Sequence, residues 1–362
     1  MRKLNILLLA TIVFTSQLKS QIGIIEDLIN VPIGGAETFL LNRTIDDATV
    51  LIEGYMNPLG TALGSGLNAG WYNTGKPHNF PGFDITFGVH TIMLPSSSRT
   101  FSPDFGYYYG NDLPTINGSS SGGQLILFPG YTFFGDEINS PNFGNLEEIV
   151  ETETIVILET PGGGDWNNFF MPYIQASIGL VYDTELLFRY MPPIAYSNMS
   201  TNYWGMGIKH DFKQHIPVVK DLPFDASFLA AYSSLKSNAN IYDDANIDFD
   251  VQAFNCNMIL SKKIAILTAY AGVGYQHSTA NLVFDGKWSY LNNNSQQVIQ
   301  DNPINLSIGG VNGFKGTMGA RIKLFLFTIH ADYTLAEYNI FTIGLGLNSD
   351  IGSKIIGGAI GK

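Results

Sequence analysis

The sequence predicts an all-β fold, a transmembrane antiparallel β-barrel preceded by a partly helical plug segment. Three observations lead to this prediction. Apolar residues alternate with polar or small ones along most of the chain after residue 82, and the alternating segments run to about ten residues. Charged residues make up only 14% of the 362 residues, whereas 45% are hydrophobic. A tilted strand needs about 9–11 residues to cross a bilayer, while strands of soluble proteins average about 5–6.

The composition also excludes several classes of protein. A formal net charge of -12 argues against a nucleic-acid partner. The single cysteine, Cys256, cannot support a disulfide-stapled scaffold, and the aromatic content of 13% argues against a disordered chain. Closely spaced metal ligands and a phosphate-binding glycine loop are both absent from the sequence, so we expect no metal and no cofactor.

The first twenty residues have the layout of a secretory signal peptide. Arg2 and Lys3 form a basic start, residues 4–14 are mostly apolar, and polar residues lead to Ser20. The apolar stretch is too short to cross a bilayer as a helix. We therefore expect an exported protein of the cell outer membrane, in contact with outer-membrane lipid and with the barrel assembly machinery during insertion.

Residues 21–82 differ from the rest of the chain and are expected to form the plug. Residues 36–54 can be written as an amphipathic helix that ends at Gly54. A glycine-rich run follows, and then a stretch that contains Trp71, Tyr72 and His78. This region is not strand-like, yet it is too apolar for a free tail. Folding inside the barrel satisfies both facts, and a small periplasmic cap is the alternative.

Residues 83–348 are expected to form the barrel, followed by a tail at 349–362. In the first segment, Phe83, Ile85 and Phe87 share one face, opposite Asp84 and Thr86. Tight turns are predicted at residues 182–183, 261–263 and 323–324, and longer polar loops at residues 238–246 and 291–302. Ten or eleven strands are clear, and weaker candidates lie at residues 124–132 and 152–158. Single-chain bacterial barrels have even strand numbers, so we predict 12–14 strands, with 14 favoured.

Polar side chains on the predicted inward faces form the candidate site. Glu185 and Arg189 lie four residues apart on one strand face, about 13 Å by strand rise, so each must find partners across the lumen or on the plug. His330 and Asp332 are neighbours on a later strand. The predicted set of residues that contact a solute or the plug is Trp71, Tyr72, His78, Asp84, Glu185, Arg189, Lys209, His330 and Asp332.

Several stretches resemble a known family: residues 55–60, 67–74 and 82–84, LLFRYMP at 186–192, WGMGIKHD at 204–211, and residues 321–346. On these motifs the chain resembles an uncharacterised family of Bacteroidota outer-membrane β-barrels, domain-of-unknown-function family 6588. The resemblance implies the barrel fold and the location but no activity. A plug before a 14-strand barrel is also distantly similar to the FadL-type fatty-acid transporters, an architectural likeness that supports function only weakly.

We predict that the protein is not an enzyme and that it serves passive uptake or binding of a small solute, hydrophobic solutes included, through a plugged lumen. A structural or partner-anchoring barrel without transport is the alternative. A membrane lipid hydrolase is less favoured, because it needs a serine, a histidine and an acid or amide that converge. His277 and Ser278 are adjacent and therefore point to opposite faces of a strand.

Overall fold

The computed structural model describes residues 44–101, 130–132, 135, 164–196, 199–217, 221–242, 245–291, 297–301 and 304–349. Within these residues, ten long antiparallel strands close into a barrel around the N-terminal segment. Each strand pairs with its neighbours in chain order, and the pairing of the first with the last closes the ring. The barrel strands are β1 (Phe83–Met93), β2 (Asn168–Gly179), β3 (Thr184–Tyr196), β4 (Met199–Asp211), β5 (Asp225–Tyr242), β6 (Ala245–Ile264), β7 (Leu267–Asp285), β8 (Asn312–Leu324), β9 (Phe327–Leu335) and β10 (Ile340–Ser349).

The period-two pattern has the physical meaning that the sequence predicts. On β1, Phe83 and Phe87 lie on the outer surface, while Asp84, Thr86 and His90 are buried in the lumen. The other strands also place large apolar side chains outward, as a lipid-facing surface requires. The predicted fold class, a transmembrane antiparallel barrel, is confirmed.

The predicted strand number is wrong: the barrel has ten strands among the described residues, not 14 or 12. The strands are longer than expected, up to 20 residues in β6, so fewer of them account for the same sequence. Of the weak candidates, residues 124–129 and 152–158 lie outside the described residues. Gly130–Tyr131 forms a two-residue strand that pairs with Thr100–Phe101, apart from the barrel.

Short elements complete the described part of the chain. Lys287–Leu291 and Gln297–Asp301 form a small hairpin. Ile304–Ser307 pairs with residues 281–284 of β7, in line with β8 on the same edge. Turns of 3-10 helix span Ser96–Ser98 and Lys213–His215.

The end of the barrel with tight turns at residues 182–183, 265–266 and 325–326 is called the short-turn end. The opposite end is called the long-loop end. Tyr182 and Asp183 take positive φ angles in the turn between β2 and β3, where a turn was predicted. The other two predicted turns are displaced. The chain reverses at residues 265–266 and 325–326, and the predicted turns at 261–263 and 323–324 belong to strands. The predicted loop at 238–246 is largely strand as well.

The helix α1 (Thr44–Asn68) does not end at Gly54 as predicted but continues for another 14 residues through the glycine-rich run. Packing overrides the low helix propensity of glycine. A Cβ added to Gly64 would lie only 2.0 Å from Ser278 Oγ, and one added to Gly66 would lie 2.7 Å from Met171 Sδ. The glycines therefore let the helix approach the wall closely. Residues 36–43 lie outside the described residues.

Helix α1 lies in the long-loop half of the lumen, where its apolar side chains share one cluster with those of the wall. After Gly70, with a φ of +61°, residues 71–82 form an irregular segment with bends and a turn, which runs toward the short-turn end and leads into β1. We call residues 44–82 the plug. Within the described residues, no helix is both long and apolar enough to cross a membrane. The predicted signal peptide, residues 1–20, and the tail after Ser349 lie outside the described residues.

Candidate functional site

All nine predicted site residues are buried in the lumen, where residues 71–82 of the plug meet the wall. Three belong to the plug, namely Trp71, Tyr72 and His78, and six to the wall, namely Asp84, Glu185, Arg189, Lys209, His330 and Asp332. They divide into three groups along the lumen. The site is therefore the contact surface between plug and wall.

The first group is a stack across the middle of the lumen, here called the central stack. The Arg189 guanidinium lies between two rings, with its Cζ 4.2 Å from the Trp71 ring centroid and 4.7 Å from that of Tyr173. Gln175 links the two sides, since its Oε1 accepts from Arg189 Nε at 2.8 Å and its Nε2 donates to the Trp71 carbonyl at 3.3 Å. His90 stacks on the far face of Tyr173 at 4.5 Å. A desolvated cation between aromatic faces is stabilised by about 2 kcal/mol.

Glycines in the wall make room for the Trp71 ring. A Cβ at Gly205 or Gly207 of β4 would lie 3.1 or 3.2 Å from ring carbons of Trp71, closer than ordinary packing allows. The indole N–H of Trp71 donates to the Leu67 carbonyl at 2.9 Å and so ties the ring to the end of α1. The small inward residues of β4 therefore form a seat for one plug side chain.

The second group is an ion pair near the short-turn end. Glu185 and Lys209 are cross-strand neighbours on β3 and β4, and Lys209 Nζ lies 2.8 Å from Glu185 Oε2. The same oxygen accepts the backbone N–H of His78 at 3.1 Å. Lys209 Nζ also lies 3.5 Å from the Thr74 carbonyl. His78 Nδ1 of the plug also lies 3.1 Å from the same Glu185 oxygen. The ion pair belongs to the wall, and the plug contacts it through the backbone N–H and the imidazole of His78 and through the Thr74 carbonyl.

A polar chain continues from His78 around the wall. Asn348 donates to His78 Nε2 at 2.5 Å and to Asp84 Oδ2 at 3.2 Å. Arg321 Nη2 lies 3.9 Å from the same Asp84 oxygen, and Arg321 Nη1 donates to Asn73 Oδ1 of the plug at 3.0 Å. Asp84 thus has its charged partner within the wall.

The third group contains Tyr72, His330 and Asp332. Tyr72 packs edge-on against Tyr270 with 6.1 Å between ring centroids, and burial raises the pKa of its phenol to about 12, so the group is neutral. The Tyr270 hydroxyl donates to Asp332 Oδ2 at 2.9 Å, and the Tyr173 hydroxyl shares a hydrogen bond of 3.3 Å with His330 Nε2. The histidine and the aspartate that a hydrolase would use are thus each bonded to a tyrosine.

Sequence reasoning missed several wall residues that hold the plug. Lys315 Nζ donates to the Asn68 carbonyl, and Asn255 donates to the Asn68 side chain at 3.1 Å. Lys315 and Arg321 lie six residues apart on β8 and are both buried. Period-two counting along residues 312–324 could have assigned both to the inward face. For Gln175 and Tyr173 the signal was similar, an alternation in residues 168–179.

His210 and His215 lie close together at the short-turn end. The short 3-10 turn brings their Nε2 atoms to 3.0 Å, and Thr184 Oγ1 lies 2.9 Å from His210 Nδ1. Two histidines and a hydroxyl are a poor metal-ligand set. In the part of the chain that the structure describes, no group of three or more metal-binding side chains is present.

A cavity lies at each end of the plug. The one at the short-turn end has a volume of about 450 Å³ and is bordered by plug residues 74–79. The one at the long-loop end has a volume of about 400 Å³ and is bordered by Gly54, Asn57 and Thr61 of α1. Both volumes fall in the range of roughly 300–1,000 Å³ typical of small-molecule sites.

Comparisons with known proteins bear on the family. No curated protein matches the chain. Among solved structures, it is similar to the translocator domain of the autotransporter NalP from Neisseria meningitidis, with 10% identity over 76% of this chain and 90% of that one and a TM-score of 0.28. It is also similar to the Pseudomonas putida toluene transporter TodX, with 7% identity over 77% of this chain and 96% of that one and a TM-score of 0.16. Such weak likenesses carry no argument about function. A profile of the family of unknown function DUF6588 matches residues 1–349, most of the sequence. The chain therefore belongs to the DUF6588 family.

Proposed function

We propose that this protein is an outer-membrane barrel through which a small solute passes when the plug moves. One observation carries the proposal: most buried charges of the site have their partner within the wall. Glu185 pairs with Lys209, Arg189 bonds Gln175, and Asp332 bonds Tyr270. The plug meets them through the Trp71 ring and through amide, carbonyl and imidazole groups. Withdrawal of the plug therefore leaves the Glu185–Lys209 ion pair intact, together with the hydrogen bonds of Arg189 and Asp332 within the wall. A buried charge left without any partner is what would make the movement costly.

The plug is also independent of the sheet that holds the barrel closed. Its residues contact the wall through side chains and isolated hydrogen bonds, such as the 2.9 Å bond from Gly75 N–H to Ser261 Oγ. The barrel strands pair only with one another and with Ile304–Ser307 within the described residues. Moving the plug breaks no strand pairing.

The outer-membrane location rests on the outer surface of the barrel. Large apolar side chains such as Phe188, Met206 and Met258 are about half exposed there, which water would not favour and lipid would. Three of the connections at the short-turn end are tight turns, and in bacterial barrels the short turns lie in the periplasm. The export signal predicted at residues 1–20 fits this location.

Passage is proposed to be passive, and hydrophobic solutes remain among the candidates, because the long-loop half of the lumen is lined by apolar side chains such as Ile92, Phe169 and Val251. We propose no catalysis, because His330 and Asp332 are engaged by tyrosines. The alternative, a sealed barrel that anchors a partner, is favoured by the dense central stack, where Trp71 is 1% exposed.

A reversible disulfide distinguishes the two. A Cβ at Gly75 would lie 3.2 Å from Ser261 Oγ, close to the roughly 3 Å between a Cβ and the opposite sulfur that disulfide bond lengths give. The lock is Gly75→Cys with Ser261→Cys in a Cys256→Ala background, in proteoliposomes. The probes are arabinose, as a polar solute, and naphthalenesulfonate, which presents an aromatic ring but crosses lipid slowly because of its charge.

We expect oxidation to slow the entry of at least one probe by about tenfold or more, and reduction to restore it. The single variant Gly75→Cys in the same background is the control and should show no redox effect. Equal, measurable entry in both redox states would refute plug movement as the gate. Failure of both probes to enter either form of the protein would favour the sealed, partner-anchoring barrel.

A further inference from the structure

The cavity at the short-turn end has an unusual charge. Five cationic side chains line it, whereas Asp225 is the one acidic side chain among its described lining residues. The cations are Lys76, Lys213, Lys263, Arg321 and Lys323. This excess of positive charge stands against the composition of the whole chain, which carries a net charge of -12. Like charges gathered around one small volume repel one another, and a bound anion relieves that repulsion.

Arg321 supplies a buried donor without an acceptor. Its side chain is 7% exposed, Nη1 donates to Asn73, and Nη2 lies 3.9 Å from Asp84. Its Nε is buried and has no hydrogen-bond acceptor among the described residues. Leaving a buried N–H unpaired costs about 1–3 kcal/mol. The guanidinium thus borders the cavity with one donor still to be satisfied.

Two of the four lysines that line the cavity already donate hydrogen bonds to other described residues, and the other two do not. Lys213 Nζ donates to the Phe224 carbonyl at 2.6 Å and to the Leu222 carbonyl, and Lys323 donates to Asn348. Lys76 and Lys263 are exposed at the rim, and neither ammonium group has a hydrogen bond or ion pair within the described part of the chain. Their donors are available to an anionic ligand, and such charge-assisted bonds are the strong ones.

We propose that this cavity binds a phosphate group or a similar oxyanion that carries two charges. The volume of about 450 Å³ accommodates a small phosphate ester. A neutral solute would leave the positive charge uncompensated, and a single carboxylate would compensate it only in part. The site is defined by its own residues and does not depend on the proposed passage of a solute, so binding and passage can be tested separately.

The test is a binding titration of the full chain, refolded in a zwitterionic detergent, with glycerol 3-phosphate as the probe and glycerol as its neutral counterpart. The variant is Lys76→Gln with Lys263→Gln, two exposed positions whose substitution leaves the fold intact. The control is Lys262→Gln, because Lys262 is adjacent to Lys263 on β6 and points to the opposite face of the strand.

We expect binding of glycerol 3-phosphate but not of glycerol, weakened by high salt because the attraction is electrostatic. The double variant should bind at least about tenfold more weakly, since each lost charge is worth roughly 1 kcal/mol or more at contact distance, whereas Lys262→Gln should bind like the original chain. Phosphatidic acid nanodiscs, whose headgroup is a phosphate monoester like that of glycerol 3-phosphate, form a second arm and are compared with phosphatidylcholine nanodiscs. Binding there alone would assign the phosphate to a lipid headgroup and still support the site. Failure to bind either probe, or equal binding by the double variant, would overturn the proposal.

Discussion

Replacing Lys209 with methionine should lower the free energy of unfolding by about 3–5 kcal/mol, because it leaves the Glu185 carboxylate buried without its counter-charge. Both side chains are 2% exposed, and Nζ lies 2.8 Å from Oε2. With an effective dielectric constant of about 20, two unit charges at this separation attract by roughly 6 kcal/mol before desolvation is subtracted. Methionine keeps most of the volume of the lysine stem, so the loss reports the charge rather than a cavity.

A double-mutant cycle isolates the pair. Glu185→Gln alone should also destabilise the protein, because Lys209 then remains charged and buried. The double variant removes both charges, so its loss should be smaller than the sum of the single losses by about 1.5 kcal/mol or more, within the range of coupling energies between contacting residues. The glutamine can still accept the His78 backbone N–H, so this contact with the plug is kept, whereas His78 Nδ1 loses its carboxylate neighbour.

The assay is guanidinium unfolding in detergent micelles, with hydrogen exchange of the amides at residues 71–78 as a second measurement. Barrel unfolding changes the first, and plug release changes the second. The reasoning is refuted if Lys209→Met lies within about 0.5 kcal/mol of the original chain, or if the two single effects add without coupling.

Two further predictions concern the plug seat and the membrane. Gly272→Ala should destabilise the plug by about 1–3 kcal/mol through overpacking, since its Cβ would lie 2.2 Å from the Tyr72 hydroxyl. The matched control is Gly316→Ala on the neighbouring strand, where a Cβ meets nothing within 4 Å. Equal hydrogen exchange of the Tyr72 amide in the two variants would contradict the prediction that Gly272 makes room for Tyr72. Cys256 alternates with the buried residues Asn255 and Asn257 and therefore faces outward, so in vesicles an apolar maleimide should label it and a charged one should not. Rapid labelling by the charged reagent would contradict the lipid-facing assignment.

The fold class could be derived from the sequence because each barrel strand shows the alternation of apolar and polar residues by itself. The alternation of Phe83, Asp84, Ile85 and Thr86 follows from the pleat alone and needs no knowledge of the neighbouring strand. The number of strands could not be derived in this way. Polar loops and strand ends that contain polar residues look alike in sequence. The stretch NANIYDDAN at residues 238–246 is predicted as a loop, yet residues 238–242 belong to β5 and residues 245–246 to β6. The predicted number is too high because the weak candidates at residues 124–132 and 152–158 are added to ten or eleven clear strands, and the part of them that the structure describes does not belong to the barrel.

The sequence predicts which side chains of the site face the lumen, but not which residues they contact there. Inward positions such as Glu185 and Arg189 follow from alternation, but their partners depend on register and on how the barrel closes. The His78 amide meets a carboxylate 107 residues away, and the Asn68 carbonyl meets a lysine 247 residues away. No local pattern contains such pairings. The same limit explains the helix: the glycines between Gly54 and Gly66 are a weak helix signal until the wall that they approach is known.

The side chains of the plug and the wall are complementary in size, and most of the buried charges belong to the wall. Large plug rings face small wall residues, as Trp71 faces Gly205 and Gly207 and Tyr72 faces Gly272. The wall holds most of the buried charges, and the plug contacts them mainly through its backbone, its amide side chains and its aromatic rings. Lys209 and Arg321 also contact plug acceptors, the Thr74 carbonyl and Asn73 Oδ1, but each has an acidic partner in the wall. Lys315 has no ion pair among the described residues, and its ammonium donates to the Asn68 carbonyl of the plug. If the plug moves, Lys315 loses that acceptor, so the end of α1 is where its movement should cost most. Release from the short-turn end, where Glu185 and Lys209 stay paired, is the easier path.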